Sequence, residues 1–338
     1  MHTTKTVQLT PNHYSRRSKP VNLSVLDEKL FEHEYVKEIR GTQLILSINT
    51  QLLGKYYLSS YRNRNEFIKH IIKQRLGTSE KIKDLLGYLH SNLKPSISFD
   101  IGIKLTGHWL HDYFHWLTEG LTKVVCLSHL GFNGTIILPD SFGSVRYIRE
   151  SLDYFHLQYS FIPNNTQVNV GSLYKIEFEF DPGNYDSTLL SLFYSILSAQ
   201  SFDSTLTKRI YISRLNAKKR KIINENELYG ILKKHCIDIV NPENLSFQDQ
   251  VTLFRNAKTI IGLHGAGLTN MLFMNRFSNV VEIRKKEDSL SNCFFTLSSD
   301  LNHNYYYLLA EPVNGDLHEG DCIVKPELLD YFLSAHSV

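Results

Sequence analysis

The chain has 338 residues, 42% hydrophobic and 21% charged, and its 37 basic residues nearly balance 34 acidic ones for a formal charge of +3. That length suits two domains better than one core, and so even a charge balance speaks against nucleic acid as the main partner. The four cysteines (Cys126, Cys236, Cys293 and Cys322) include no Cys-x-x-Cys pair, which speaks against a disulfide framework or a zinc site.

Residues 1–20 read as a polar, loose arm carrying Arg16, Arg17 and Lys19. No apolar run follows that would make a signal peptide or membrane anchor, so at most a peripheral membrane contact is expected. A strand over 42–48 and helices over 66–76 and 80–89 come next, the helices from apolar spacings near three and four. Residues 96–105 read as a strand, 113–130 as a helix capped by Gly131, 134–139 as a short buried strand, 142–152 as a helix and 159–162 as a strand. This alternation predicts an α/β domain with a largely parallel sheet.

A break at Asp181-Pro-Gly-Asn184 precedes a helix over 189–200. A second series then starts: strand 209–213, helix 224–235, strand 237–240, helix 246–256, strand 259–263, a glycine turn leading into a helix, and strand 279–283. A helix over 325–336 follows, with Pro326 suited to its first turn. The expected organisation is an N-terminal α/β domain over 1–185, an interdomain helix and linker over 186–208, and a Rossmann-like domain over 209–338.

Three segments carry chemistry. The third, His264-Gly-Ala-Gly-Leu-Thr-Asn270, follows an apolar, β-branched run and opens a helical pattern, so backbone N–H groups can converge there on an anion. Arg209-Ile-Tyr-Ile-Ser-Arg214 puts a guanidinium at the carboxyl edge of a strand, where open α/β sheets bind ligands. There it can grip a diphosphate through two parallel hydrogen bonds, with Arg220 as a second clamp. The plainer reading of Lys218 to Lys221 is a solvated loop. Glu282 ends a further strand and suits ribose hydroxyls, or alternatively a partner such as Arg284. The first segment, Asp112-Tyr-Phe-His-Trp-Leu-Thr-Glu119, places His115 and Glu119 on one helix face, with Asp112 nearby.

In this order and spacing the three segments, with Val280-Val-Glu282-Ile283, resemble glycosyltransferase family 61 over roughly residues 105–310. That family includes plant xylosyltransferases, animal O-linked N-acetylglucosaminyltransferases and bacterial capsule and lipopolysaccharide enzymes. The resemblance implies a GT-B architecture: two Rossmann-like domains facing across a cleft, the donor nucleotide on the C-terminal one, and the C-terminal helix near the interdomain junction. It implies a nucleotide-sugar donor, UDP-linked, held by Arg214, Arg220, His264, Gly265, Ala266, Gly267, Asn270 and Glu282. An inverting transfer also needs a base for the acceptor hydroxyl, and His115, Glu119 or Asp112 can supply it.

No cofactor is expected beyond the donor. A metal at His108, His111 and His115 is disfavoured because the helix starts late for that face. No Asp-x-Asp motif occurs, and the nearest acidic pair, Glu177-Phe-Glu179, reads as the wet face of a strand. The expected partner is a glycan or lipid-linked glycan acceptor of a bacterial surface polysaccharide, and the expected place is the cytoplasm, at the inner face of the membrane where a lipid-linked acceptor is used. Two rival readings stand beside this. An NAD-linked oxidoreductase lacks its Gly-x-Gly-x-x-Gly fingerprint here. A degenerate transferase would bind nucleotide or glycan without turnover.

Overall fold

The protein is described from a computed structural model covering residues 4–53, 96–105, 109–163, 166–177, 183–199, 207–313, 316–317 and 319–338. The helices expected over 66–76 and 80–89 lie outside the described residues. The chain forms two compact units, one of residues 1–11 and 40–180, the other of residues 12–39 and 181–338.

In chain order the strands begin with β1 (Thr4–Gln8), β2 (His13–Arg16), β3 (Val36–Ile39), β4 (Gln43–Leu53), β5 (Ser96–Leu105), β6 (Thr135–Pro139) and β7 (Tyr159–Ile162). They continue with β8 (Gln167–Glu177), β9 (Lys208–Ile212), β10 (Asp238–Val240), β11 (Ala257–Leu263), β12 (Asn279–Lys285), β13 (Asn304–Pro312) and β14 (Cys322–Ile323).

The first unit is built on a six-stranded sheet ordered β1-β4-β8-β5-β6-β7. Strands β8, β5, β6 and β7 are parallel, whereas β1 and β8 flank β4 antiparallel, so the sheet is mixed. Leu52, Ile137, Ile162, Val168, Val170 and Leu173 form one core of this unit. The helix expected over 113–130 is present but composite: an α-helical turn Tyr113–His115, a π-helical stretch Trp116–Leu121, and an α-helix Thr122–His129. Gly131 caps it at φ +86°, its N–H reaching Ser128 O while Phe132 N–H reaches Leu127 O, both at 3.0 Å. That left-handed corner is where glycine costs least. The helix expected over 142–152 divides into a 3-10 turn, Asp140–Ser144, and a helix, Arg146–Tyr154.

The second unit carries the sheet β10-β9-β11-β12-β13-β14, parallel from β10 through β13, with β14 antiparallel at the edge. Its chain runs from β9 outward to β10, then returns to the other side of β9 with β11. The strand order therefore reverses between β9 and β11, the place where open α/β sheets hold ligands at their carboxyl ends. Asp186 caps the helix Ser187–Ser198 by accepting from Thr188 and Leu189 N–H, and Ser246 caps Phe247–Arg255 by accepting from Asp249 N–H. The helix Pro326–His336 has Pro326 in its first turn and packs Leu329, Phe332 and Leu333 against Leu228 and Leu232 of the helix Glu225–Lys234. The glycine turn after β11 leads into a 3-10 helix, Ala266–Phe273, in place of the expected α-helix. The helix Cys293–Asp300 and strands β13 and β14 had no counterpart in the sequence reading.

Residues 12–39, which the sequence reading put in the first domain, pack in the second unit. Strands β2 and β3 pair antiparallel. The buried guanidinium of Arg17 meets Asp300 at 3.3 Å, Glu34 at 3.0 Å and Gly183 O at 3.1 Å, pairing that a buried charge requires. Fully buried Phe31 lies against the rings of Phe295, Tyr305 and Tyr307, with the Arg284 guanidinium 4.8 Å from its centroid. Among the described residues, no helix is long and apolar enough to cross a membrane.

Candidate functional site

In the first unit, residues 109–121 concentrate the polar groups. Asp112 sits at the extended position before the helical turn, without capping it, and the composite helix starts at Tyr113. The π-helical stretch inserts one residue into the helix, a rare local geometry that recurs at functional sites. Thr118 Oγ1 and Thr122 Oγ1 donate to Phe114 O and Leu117 O at 2.8 and 2.7 Å, satisfying carbonyls in the disturbed ladder. Trp116 anchors the segment: it is fully buried and donates from Nε1 to Ser151 Oγ at 2.8 Å.

On this helix His115 Nδ1 lies 2.7 Å from Glu119 Oε1, and both side chains keep only a narrow exposed edge. The rings of Trp109 and Phe114 flank the imidazole at 5.4 and 5.0 Å. Asp112 is apart from this pair. Its carboxylate is exposed, 3.5 Å from His111 Nε2. Close by, the Tyr147 hydroxyl donates to His111 O, and burial together with the Asp112 charge pushes that phenol's pKa upward. His108 and Glu179 lie outside the described residues.

In the second unit, the loops after β9, β11 and β12 converge at the switch point. Arg214 is the first residue of interest after β9, but its guanidinium is occupied. Nε donates to Arg220 O at 2.9 Å and Nη2 to Lys219 O at 3.0 Å, so the side chain braces the loop 214–221. Burial, and the charge of Arg220 beside it, lower the Arg214 pKa. Arg220 has the left-handed φ of +55°, an uncommon backbone for a residue with a side chain and one found at sites held by their surroundings. Its Nε is buried with no hydrogen-bond partner among the described residues.

The glycines of the turn now have a physical reason. A Cβ at Gly265 would stand 2.2 Å from Arg214 Nη1, and one at Gly267 would stand 2.8 Å from Ile212 Cγ2. Both are glycine because an arginine and a strand side chain occupy the space. Ala266 is half-buried at the start of the 3-10 helix. Asn270 is fully buried, with Nδ2 donating to Gly267 O at 2.9 Å, which fastens the turn from within.

His264 is held at the mouth of the same turn. Its N–H donates to Ile283 O at 2.8 Å, its Nδ1 lies 2.5 Å from Glu282 Oε1, and Phe294 abuts the ring at 4.9 Å. Glu282, read from the sequence as a ribose contact, is fully buried within β12. Its second oxygen accepts from the Tyr305 hydroxyl at 2.5 Å. Arg220, His264 and Lys285, with Leu263, Asp288 and Leu317, line a recess of about 220 Å³, the solvent in its mouth included. Lys285 Nζ donates to Asp316 O and Leu317 O at 3.0 and 3.1 Å, and burial lowers its pKa. Asp288 is engaged by Leu290 and Ser291 N–H. The recess is smaller than a typical small-molecule site of roughly 300–1,000 Å³, a size suited to the charged part of a ligand rather than the whole.

Lys285 and Tyr305 went unnoticed in the sequence. Lys285 is the last residue of β12, one βα unit beyond the glycine turn, and that position was its signal. Tyr305 opens the run Tyr305-Tyr-Tyr-Leu-Leu309, which reads as core and gives no hint of a polar partner.

Comparison with known proteins gives this arrangement a context. The glycosyltransferase 61 family model matches residues 106–281, a span that holds His115, Glu119, Arg214, Arg220 and the glycine turn. Similar curated proteins include the EGF domain-specific O-linked N-acetylglucosamine transferases of Drosophila melanogaster, 37% identical over 91 residues, and of Rattus norvegicus, 34% identical over 110 residues. These matches cover 26% and 31% of this chain but only 17% and 20% of the relatives, so the chain matches a fifth or less of their length. These relatives are animal proteins, and they give no support to the bacterial capsule or lipopolysaccharide setting that the sequence reading expected.

Proposed function

This chain belongs to the glycosyltransferase 61 family, and we propose that it moves a sugar from a nucleotide-sugar donor to an acceptor hydroxyl with inversion, giving a β linkage. The observation that carries this reading is the recess at the switch point, where Arg220, Lys285 and His264 gather beyond the carboxyl ends of parallel strands. Cations and a ring N–H there suit a diphosphate. They would stabilise the negative charge that grows as the sugar's anomeric C–O bond breaks and its electron pair passes to the phosphate oxygen. In this reading the two units are the halves of a GT-B enzyme, with the donor on the second. The His115–Glu119 pair of the first takes the proton from the acceptor hydroxyl as its oxygen attacks the anomeric carbon. Arg220 meets the phosphates and Arg214 keeps the Arg220 loop in place. No metal step is invoked, because the sequence has no Asp-x-Asp motif and the recess supplies its own positive charge. UDP is the proposed leaving group, and the acceptor is a glycan hydroxyl, in a cytoplasmic setting that includes the inner membrane face.

The names of the animal relatives favour a second acceptor, a hydroxyl on a protein domain, with N-acetylglucosamine as the sugar. The test is a thermal-shift screen of the full chain against UDP, GDP, CMP, TDP and their sugars, with and without EDTA. A ligand that binds only the folded protein raises stability by about 2.7 kcal/mol at a hundredfold excess over Kd. Stabilisation by one nucleoside diphosphate, unchanged by EDTA and lost in Arg220→Ala, supports the reading; no stabilisation by any of them overturns it. The nucleotide-sugar that stabilises best is then offered to glycan and to folded protein acceptors, and the mass added shows which is used. Binding without transfer or hydrolysis across that panel would mark a degenerate transferase.

A further inference from the structure

The proton pattern around His264 is fixed by groups that the donor reading does not use. Tyr305 is buried, and its pKa is raised well above the ordinary phenol value by burial and by the Glu282 charge, so it keeps its hydrogen. Its hydroxyl faces Glu282 Oε2 at 2.5 Å. Arg284, two residues after Glu282 on β12 and buried like it, lies within electrostatic reach of both groups and can only donate. The phenol therefore gives its hydrogen to Glu282, and the carboxylate accepts on that side. The other oxygen, 2.5 Å from His264 Nδ1, is left to accept as well. An ionised carboxylate between two donors requires Nδ1 to carry the proton. With Nδ1 turned inward to β12, the opposite ring edge, Nε2, is the one given to the recess that His264 lines.

We propose that Glu282 and Tyr305 are positioning residues for His264, forming a buried relay that fixes the imidazole with Nδ1 protonated and presents Nε2 to the diphosphate of a nucleotide ligand in the Arg220–Lys285 recess. The inference rests on the donor reading above for its ligand, and on the two hydrogen bonds of Glu282 for its geometry. Tyr305 is the distant member: it touches no ligand, and it acts by keeping Glu282 from rotating away from the ring.

The test uses the full chain with histidines labelled by 15N. The His264 signals are those missing from His264→Asn. Calorimetric titration with UDP, and with uridine as the phosphate-free control, gives the affinities. The relay predicts a protonated Nδ1 in the free protein and an Nε2 signal that moves on adding UDP. Tyr305→Phe weakens UDP about threefold to tenfold, the scale of one neutral hydrogen bond, and Glu282→Gln weakens it about tenfold to a hundredfold, the scale of a bond to a charge. Neither changes uridine binding, which controls for folding. In the His264→Asn background Tyr305→Phe has no further effect on UDP. An unprotonated Nδ1 in wild-type protein overturns the inference, as does UDP affinity that neither variant changes. If UDP does not bind wild-type protein, the donor reading and the ligand named here fall. An Nδ1 proton present in wild type and lost in Glu282→Gln then still upholds the relay itself.

Discussion

Each unit holds a histidine–glutamate pair, and the two are built on different physics. His115 and Glu119 are four residues apart on one helix, joined at 2.7 Å, with an exposed edge on each side chain. His264 and Glu282 come from the end of β11 and the middle of β12, 18 residues apart in sequence, joined at 2.5 Å with the carboxylate fully buried. The first pair depends on local geometry: a helix brings the groups together whatever surrounds it, and the π-helical stretch adjusts where they point. The second depends on sheet register, which sets Leu263 beside Ile283 and so delivers His264 to Glu282. A local pair near solvent is suited to moving a proton. A buried pair locked by Tyr305 is suited to holding a ring still.

The largest expected effect sharpens that contrast. His115→Ala should lower the transfer rate about 10²–10⁴-fold, the usual contribution of a positioned base, while UDP affinity stays at the wild-type value. Initial rates at saturating donor, set beside a UDP titration, read both. A loss below tenfold would mean that His115 merely packs against Trp109. Removing each carboxylate separates the pairs by stability. Glu282→Ala leaves Arg284 and the Nδ1 proton buried without their anion and should cost about 3–5 kcal/mol in urea unfolding. Glu119→Ala, a partly exposed helical pair, should cost about 0.5–1 kcal/mol. Equal costs would break the distinction.

A buried cation without such a partner gives the next comparison. Lys104, near the end of β5, is buried beside Lys175, and its Nζ has no hydrogen-bond partner among the described residues. Burial, and then Lys175, lower its pKa from 10.5 to about 7. Between those values the unfolded chain holds a proton that the folded unit has released, so stability rises with pH through that window. The slope for this one group is at most about 1.4 kcal/mol per pH unit. The advantage is complete above the unfolded value and is lost as pH falls toward 7. Urea unfolding of wild-type protein and Lys104→Met at several pH values checks it, because the variant should lack that part of the slope. Arg284, which has Glu282, gives no comparable dependence.

How much of this was legible in the sequence follows the same division. The His115–Glu119 pair could be read from a spacing of four, and the Gly131 cap from one residue. The π-helical stretch could not, since it depends on Trp116 being drawn down to Ser151. The glycine turn announced itself, yet its cause did not: the space at Gly265 belongs to Arg214, which arrives from another strand. Arg214 looked like the phosphate ligand because it ends β9. Only the path of the loop shows that its donors are spent on the carbonyls of Lys219 and Arg220. The place of residues 12–39 in the second unit was hidden for a similar reason, since Arg17 finds Asp300 some 283 residues away.

Two glycines give the smallest and most direct test of that difference between local and tertiary causes. Gly265 has an extended φ of 167°, which any residue can adopt, so only the Arg214 guanidinium forbids a side chain there. Gly265→Ala should cost about 1–3 kcal/mol as overpacking, and it should also weaken UDP by displacing the brace of the Arg220 loop. Gly230, in the helix Glu225–Lys234, is exposed and has nothing within 4 Å of a built Cβ. Gly230→Ala should stabilise the protein by about 0.5–1 kcal/mol, through helix propensity and a less flexible unfolded chain, with UDP affinity unchanged. Thermal melts and UDP titrations of the two variants side by side separate the causes. If Gly265→Ala behaved like Gly230→Ala, the Arg214 side chain would be free to move aside, and the loop it braces would not depend on it.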